Sequence, residues 1–346
     1  MSPLSWTILI STLTTSTIIT MSSHHWLLAW LGLELNTMSM LPIIMKPHHP
    51  RAAEATTKYF LIQATAAALI LFASTMNAWK TGQWTITQLS STPANTIMLT
   101  ALMLKLGLAP THLWYPEVLQ GTTLRTALII STWQKLAPLT LLYLTMSNLP
   151  TNLLLLMALL SALIGGWSGL NQTQTRKILA FSSIAHMGWL LTALTLKPTL
   201  ATLTLIIYLL MTFTIFACLD TTTTKTISDM NSAWTHSPTL MTTMTLTLLS
   251  LGGLPPLTGF MPKWLILKEL TMTGLGPLSI LLALAALPSL YFYIRMTYLT
   301  TLTTPPSTTT TEYKWRFKPN HKINLALIAT MSISLLPLSP MLYLTL

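Results

Sequence analysis

Residues 199–219, Thr-Leu-Ala-Thr through Phe-Ala-Cys-Leu, run for 21 positions without one charged side chain. About twenty apolar residues make a helix long enough to cross the hydrocarbon layer of a membrane. Runs of similar length recur along the chain, separated by short stretches with turn residues and charges. In hydrocarbon every backbone N–H and C=O needs a partner within its own helix or around a closed barrel. The runs lack the period-two alternation of barrel strands, so helices are expected. With 51% hydrophobic and 7% charged residues, against about 25% charged in soluble domains, the chain reads as an all-α polytopic membrane protein.

Eleven spans are expected, at 3–21, 26–45, 57–79, 95–119, 123–145, 151–170, 175–195, 199–219, 239–270, 276–298 and 323–343. His24 and His25 fall at one boundary and His48 and His49 at another, and both pairs are expected to be solvated. The links are polar: Lys46-Pro-His-His-Pro-Arg51, the threonine-rich 220–237, and the longest, 301–322. Loops after the even spans hold Lys46, Arg51, Lys58, Arg125, Arg176, Lys177, Lys225, Arg295, Lys314, Arg316, Lys318 and Lys322, twelve basic residues; the others hold Lys80, Lys197 and Lys268. Cationic loops stay on the negative side of a membrane. The N-terminus and the even loops are therefore expected on that side, and the C-terminus opposite. Residues 3–21 lack the basic flank of a cleavable signal and read as the first span. The formal charge of +11 is scattered singly between apolar runs, which excludes nucleic-acid binding, and the one cysteine, Cys218, can form no internal disulfide.

Two spans carry their own interruption. Lys105-Leu-Gly-Leu-Ala-Pro-Thr-His-Leu-Trp114 breaks the fourth; Gly252-Gly-Leu-Pro-Pro-Leu-Thr-Gly259, followed by Lys263 and Trp264, breaks the ninth. The two breaks echo each other at a separation of five spans, an odd number, so two halves would enter the membrane from opposite sides. Paired interrupted helices in inverted halves point to a transport pathway. The expected organisation is a first five-helix repeat over 1–146, a second, inverted repeat over 147–300, and a polar loop with a final helix over 301–346.

Glu34, Lys105, Lys135 and Lys263 fall in the middle of spans, whereas the remaining charges can reach a boundary, snorkelling where necessary. A charge at the bilayer centre costs about 2.5–3.5 kcal/mol even on the permissive insertion scale, so each is a candidate functional group. The alternative is structural: an ion pair between Glu34 and Lys105, or a snorkelling Lys135 beside a kink at Pro138. His186 within the seventh span and His112 just past the first break are candidate relays, since imidazole titrates near neutrality. Haem ligation by these two histidines is disfavoured because nothing else indicates a haem pocket. Glu117 could cap the second half-helix or reach water. No phosphate-binding loop follows a strand, and no cysteine cluster could hold zinc or iron–sulfur. The twelve Trp and twenty Met are read as interface anchors and packing.

Ser-Ser-His-His-Trp-Leu-Leu-Ala-Trp-Leu-Gly-Leu-Glu-Leu-Asn (22–36), His-His-Pro-Arg-Ala-Ala-Glu-Ala-Thr-Thr-Lys-Tyr-Phe (48–60), Gly-Leu-Asn-Gln-Thr-Gln-Thr-Arg-Lys-Ile-Leu-Ala-Phe-Ser-Ser-Ile-Ala-His (169–186) and Leu-Pro-Pro-Leu-Thr-Gly-Phe-Met-Pro-Lys-Trp (254–264) resemble the chain 2 family of vertebrate mitochondrial NADH:ubiquinone oxidoreductase. The resemblance runs over essentially the whole chain. It implies an antiporter-like, proton-translocating subunit in the membrane arm of respiratory complex I, in the mitochondrial inner membrane with the N-terminus on the matrix side. The family's intramembrane glutamate and lysines fall on Glu34, Lys105, Lys135 and Lys263. The resemblance implies no cofactor and no redox chemistry in this chain. NADH, FMN, the iron–sulfur clusters and ubiquinone belong to the rest of the complex. Its implied partners are other membrane-arm and supernumerary subunits, phospholipids such as cardiolipin, and protons. Two other readings compete: a scaffold whose charges only support assembly, and a stand-alone cation/proton antiporter.

Overall fold

The computed structural model describes residues 2–233, 238–301, 325–338, 340–341 and 343. They are helical, with no strand among the described residues. The chain divides into two compact units, Met1–Met157 and Ala158–Leu346.

In the first unit α1 (Pro3–Ser22), α2 (Trp26–Met45) and α3 (Pro50–Thr81) follow one another through short turns. Side chains start these helices: Ser2, His25 and His49 each accept a hydrogen bond from a first-turn N–H. An interrupted helix comes next, α4 (Thr92–Leu106) and α5 (Trp114–Gly121). Then α6 (Leu124–Ser131), a tight 3₁₀ turn at Trp133–Lys135, and α7 (Leu136–Thr145) complete the unit's sequence of spans. The helix α8 (Thr151–Gly169) opens the next series, with α9 (Thr175–Leu196), α10 (Pro198–Thr222) and the short α11 (Ile227–Ala233). A second interrupted helix, α12 (Pro238–Gly252) and α13 (Phe260–Met272), precedes α14 (Gly276–Thr301) and α15 (Leu325–Ser334).

Among the described residues eight segments are long and apolar enough to cross a membrane, α6 and α7 counting as one. The halves of the interrupted helices, at 15 residues or fewer, and α15, at 10, are shorter than that length. Hydroxyl side chains do not spoil these helices because they bond within them. Thr17 donates to Thr14 O at 2.8 Å, Thr212 to Tyr208 O at 2.8 Å and Thr214 to Met211 O at 2.7 Å. A threonine that bonds back to the preceding turn carries no unmet polar group into the lipid.

A small device occurs in both units. In the first, the backbone before α2 pairs with the backbone after α3: Trp26 N–H donates to Trp84 O and Ile86 N–H to His24 O, each at 3.1 Å. In the second, Thr175 N–H donates to Lys225 O and Ile227 N–H to Thr173 O, again at 3.1 Å.

Several expectations need correction. The helix expected from 57 begins at Pro50, because His49 caps it and proline is well suited to a first turn whose N–H would be orphaned. Arg51 and Lys58 are therefore helical rather than loop residues. At 32 residues α3 is about 48 Å long, more than the hydrocarbon layer needs, so its ends hold charges without burying them in lipid. The span 123–145 is not continuous. Pro138 clashes with the carbonyl four residues earlier, Gln134, and the chain tightens there into the 3₁₀ turn that ends at Lys135. The link 220–237 contains α11, whose Asp229 accepts from Thr226 N at 2.9 Å and Lys225 N at 3.2 Å. His25 and His49 are caps rather than merely solvated, and His25 stacks on Trp84 at 5.6 Å. The loop 301–322, with Lys314, Arg316, Lys318 and Lys322, lies outside the described residues except for its first position.

In the second unit Lys197, between α9 and α10, pairs with Glu269 of α13 at 2.8 Å, and this carboxylate holds the ammonium above the usual lysine range. A raised lysine contributes stability below its unfolded value and loses it only as pH climbs through the folded one. The tie is therefore constant across physiological pH.

Candidate functional site

The break in the first unit is built from the residues that end α4. Leu106 is its last residue, and Gly107 turns the chain with φ +72°, a left-handed conformation that glycine adopts without strain. The Ala109–Pro110 peptide bond is cis. A Cβ at Gly107 would lie 3.2 Å from Tyr115 Cβ and 3.3 Å from Trp114, so the two halves meet closely enough that a methyl would have to push them apart by a few tenths of an ångström. Gly107→Ala is expected to destabilise the assembled protein by about 1–3 kcal/mol, read as a lower melting temperature of the complex in membranes. An unchanged melting temperature would contradict the geometry.

Three of the four sequence-expected charges, Glu34, Lys105 and Lys135, lie in the unit that holds this break. Lys105, 6% exposed, is the last residue but one of α4, and its own carbonyl accepts from Gln63 Nε2 of α3 at 3.5 Å. Glu34 of α2 is half-buried, and its charge reaches Lys105. Among the described residues no nitrogen–oxygen contact within 4.0 Å joins the two, so they do not form the ion pair considered from sequence. The carboxylate instead accepts from Thr37 Oγ1 at 3.3 Å.

Lys135 is 3% exposed. Its ammonium lies 5.2 Å from the centre of the Tyr115 ring, a cation–π arrangement. Tyr115 meets Trp114 edge-on at 5.5 Å, and Trp114 meets Tyr59 of α3 at 6.0 Å. Beside Lys135, Gln134 Nε2 donates to Asn36 Oδ1 at 2.9 Å, and Tyr59 Oη donates to Gln134 Oε1 at 3.5 Å. The 3₁₀ turn is thereby tied to α2 and α3. His112 is buried in the break, its Nδ1 3.3 Å from the Pro110 carbonyl, a contact that requires the proton on Nδ1. Glu117 does not face this cluster: it is half exposed and bound to Lys58 of α3 at 2.6 Å.

Lys263 and His186 belong to the second unit. Lys263, half-buried on α13, donates to Gly252 O at 2.9 Å and Leu251 O at 3.2 Å, across the break. Those are carbonyls at the C-terminus of α12, where the helix dipole favours a cation. His186, inside α9, has Nε2 3.4 Å from Tyr293 Oη of α14 and its ring 5.7 Å from Tyr208 of α10. Sequence reading did not foresee this phenol beside His186. It also missed Tyr115, Trp114, Gln134 and Asn36. A visible signal was the Trp-Tyr pair that opens the second half-helix straight after the break. Among the described residues no group of three or more His, Cys, Asp or Glu could hold a metal ion.

Comparison with known proteins agrees with this architecture. The family described as NADH:quinone oxidoreductase/Mrp antiporter, TM, matches residues 23–291, and NADH dehydrogenase subunit 2 C-terminus matches 290–343. NADH-ubiquinone oxidoreductase chain 2 of Carassius auratus is 54% identical over 341 residues, 98% of each chain. That of Struthio camelus is 52% identical over 325 residues, 94% of each. A chain in the structure of respiratory complex I from Thermus thermophilus superposes with a TM-score of 0.85 at 25% identity, over 98% of this chain and 79% of that one. A chain of the Mrp complex from Dietzia shares the fold at a TM-score of 0.79 and 15% identity, over 97% and 74%. The chain belongs to the NADH:quinone oxidoreductase/Mrp antiporter transmembrane family, in its NADH-ubiquinone oxidoreductase chain 2 branch.

Proposed function

We propose that the chain is an antiporter-like subunit that translocates protons in the membrane arm of respiratory complex I, driven by electron transfer from NADH to ubiquinone in other subunits. One observation carries the site: Lys135 is buried on the ring of Tyr115, which opens the second half of an interrupted helix whose first half ends beside buried Lys105. Lys105 with Glu34 is the loading site. Lys135, with His186 and His112 as relays, carries protons across the centre, and Lys263 leads to the far side. NADH, FMN, the iron–sulfur clusters and ubiquinone are held elsewhere in the complex, and this chain does no redox chemistry.

The protein is a multi-pass protein of the mitochondrial inner membrane, and its partners are other subunits of the complex. We place the N-terminus on the matrix side and the C-terminus on the intermembrane side, with anionic phospholipid such as cardiolipin around the spans. Eleven crossings follow when each interrupted helix and α15 count as one. Repeats over 1–146 and 147–300 are supported by two interrupted helices in like positions and by the backbone bridge that recurs before the second and after the third helix of each. Five crossings per repeat give them opposite orientation.

The test is Lys105→Met in the assembled complex. Fewer protons per electron pair are expected at an unchanged amount of complex; normal stoichiometry with full assembly would overturn the proposal. A structural role has specific support at Lys263, which already satisfies two carbonyls of α12. Native gels run beside pumping assays separate the roles, since a purely structural lysine costs assembly first.

A further inference from the structure

Outside the membrane-depth charges, an ionic cluster joins α3 and α5. Lys58 of α3 binds Glu54, one turn back on the same helix, at 2.5 Å, and Glu117 of α5 at 2.6 Å. The contact spans 59 residues of sequence, and Glu117 belongs to the short helix that follows the break. We propose that Lys58 is a positioning residue of the proton path: by holding Glu117 it fixes the second half-helix so that Tyr115 stays against Lys135. This rests on the reading of Lys135 as a proton carrier.

The geometry of α5 supports the assignment at three levels. Glu117 and Tyr115 are two residues apart, about 200° around a helix, so a tether on one side of α5 opposes the lysine contact on the other. Next to Lys58, Tyr59 meets Trp114, so consecutive residues of α3 grip α5 near its middle and at its start. The end of α5 is packed equally closely. A Cβ on Gly121 would lie 2.6 Å from Ala55 Cβ and 2.7 Å from Arg51 O, which leaves the backbones in direct contact. The Gly121 and Trp114 contacts set the distance between α3 and α5 but leave sliding and rotation to be resisted by something directional. Two carboxylates closed on one ammonium supply that direction. Lys58 is partly exposed, so the network is worth less than a buried one and its loss is graded rather than fatal.

The experiment compares Lys58→Met, the charge swap Lys58→Glu with Glu117→Lys, and Lys135→Arg in the assembled complex, at amounts equalised by native gel. The swap keeps two carboxylates around one ammonium, because Glu54 remains. NADH-driven pumping per complex is expected to fall about two- to fivefold in Lys58→Met, as a partly exposed ion pair allows, and to return in the swap. Parental pumping in Lys58→Met, or a swap as impaired as the single variant, overturns the tether. If Lys58→Met does not assemble, the swap decides on the same criterion. Impaired pumping in Lys135→Arg with parental pumping in Lys58→Met overturns the tether alone. Parental pumping in both overturns the underlying reading and the tether with it.

Discussion

Gly259→Ala is expected to leave almost no assembled complex, by a loss of about 3–5 kcal/mol, at the upper end for overpacking. Gly259 stands at the start of α13, and a Cβ there would overlap the carbonyl oxygen of Ser250, with the Ser250 carbonyl carbon at 2.7 Å and Met211 Sδ at 3.4 Å. The obstacle is backbone, not the movable end of a side chain. That carbonyl also accepts from Gly253 N at 3.0 Å, so it cannot swing aside without opening the last turn of α12. Nor can α13 back away cheaply. Retreat would pull Lys263 from Leu251 and Gly252, and Thr258 from Ser332 O, which it meets at 2.5 Å. Gly276→Ala is the control, since nothing lies within 4 Å of a Cβ at that position. Blue-native gels of both variants check the expectation: parental levels of complex in Gly259→Ala would refute it, and loss in Gly276→Ala would remove its specificity.

That break was legible as a break long before its geometry was. Leu-Gly-Gly-Leu-Pro-Pro-Leu-Thr-Gly cannot continue a helix, and a lysine four residues on stood out against hydrocarbon. What composition could not tell is which glycine is indispensable. Gly253 needs its positive φ, whereas Gly259 needs the space occupied by a carbonyl nine residues away. The same division holds in the first unit. Span lengths and the mid-span charges Glu34, Lys105 and Lys135 follow from the cost of charge in lipid, which depends on sequence alone. The partners do not, because Tyr115, Gln134 and Asn36 come together through helix rotation and through a 3₁₀ turn set by Pro138. A proline's effect lies up to four residues upstream, so reading Lys135 as part of a continuous helix misplaced its backbone. The helix start at Pro50 was missed for a different reason. A run of Pro, His and Arg looks like a link by polarity, while His49 and Pro50 are good capping chemistry. That misreading counted Lys58 among the loop residues and hid its meeting with Glu117.

Lys135→Arg is expected to impair pumping as severely as Lys135→Met, by about 10²–10⁴-fold in proton transfer through this site. Arginine keeps the charge, and its planar guanidinium stacks on an aromatic face at least as well as an ammonium, so the contact with Tyr115 survives. Much of the packing is kept too, and assembly should be near normal. What arginine cannot do is give up its proton, whereas a lysine can exchange one as its surroundings change. The substitution therefore separates the two roles that a buried cation can have. If Lys135 only holds α7 against α5 through Tyr115, the arginine variant pumps and the methionine variant fails to assemble. If Lys135 carries protons, both variants assemble to a useful extent and neither pumps. Tyr115→Phe sharpens the distinction, because it keeps the ring that faces the ammonium and removes only the hydroxyl. Its pumping is expected to stay within a few-fold of the parent if the ring is what positions Lys135. The deciding measurement is NADH-driven acidification in vesicles, normalised to assembled complex. An arginine variant that pumps at the parental rate would end the case for proton transfer at this position.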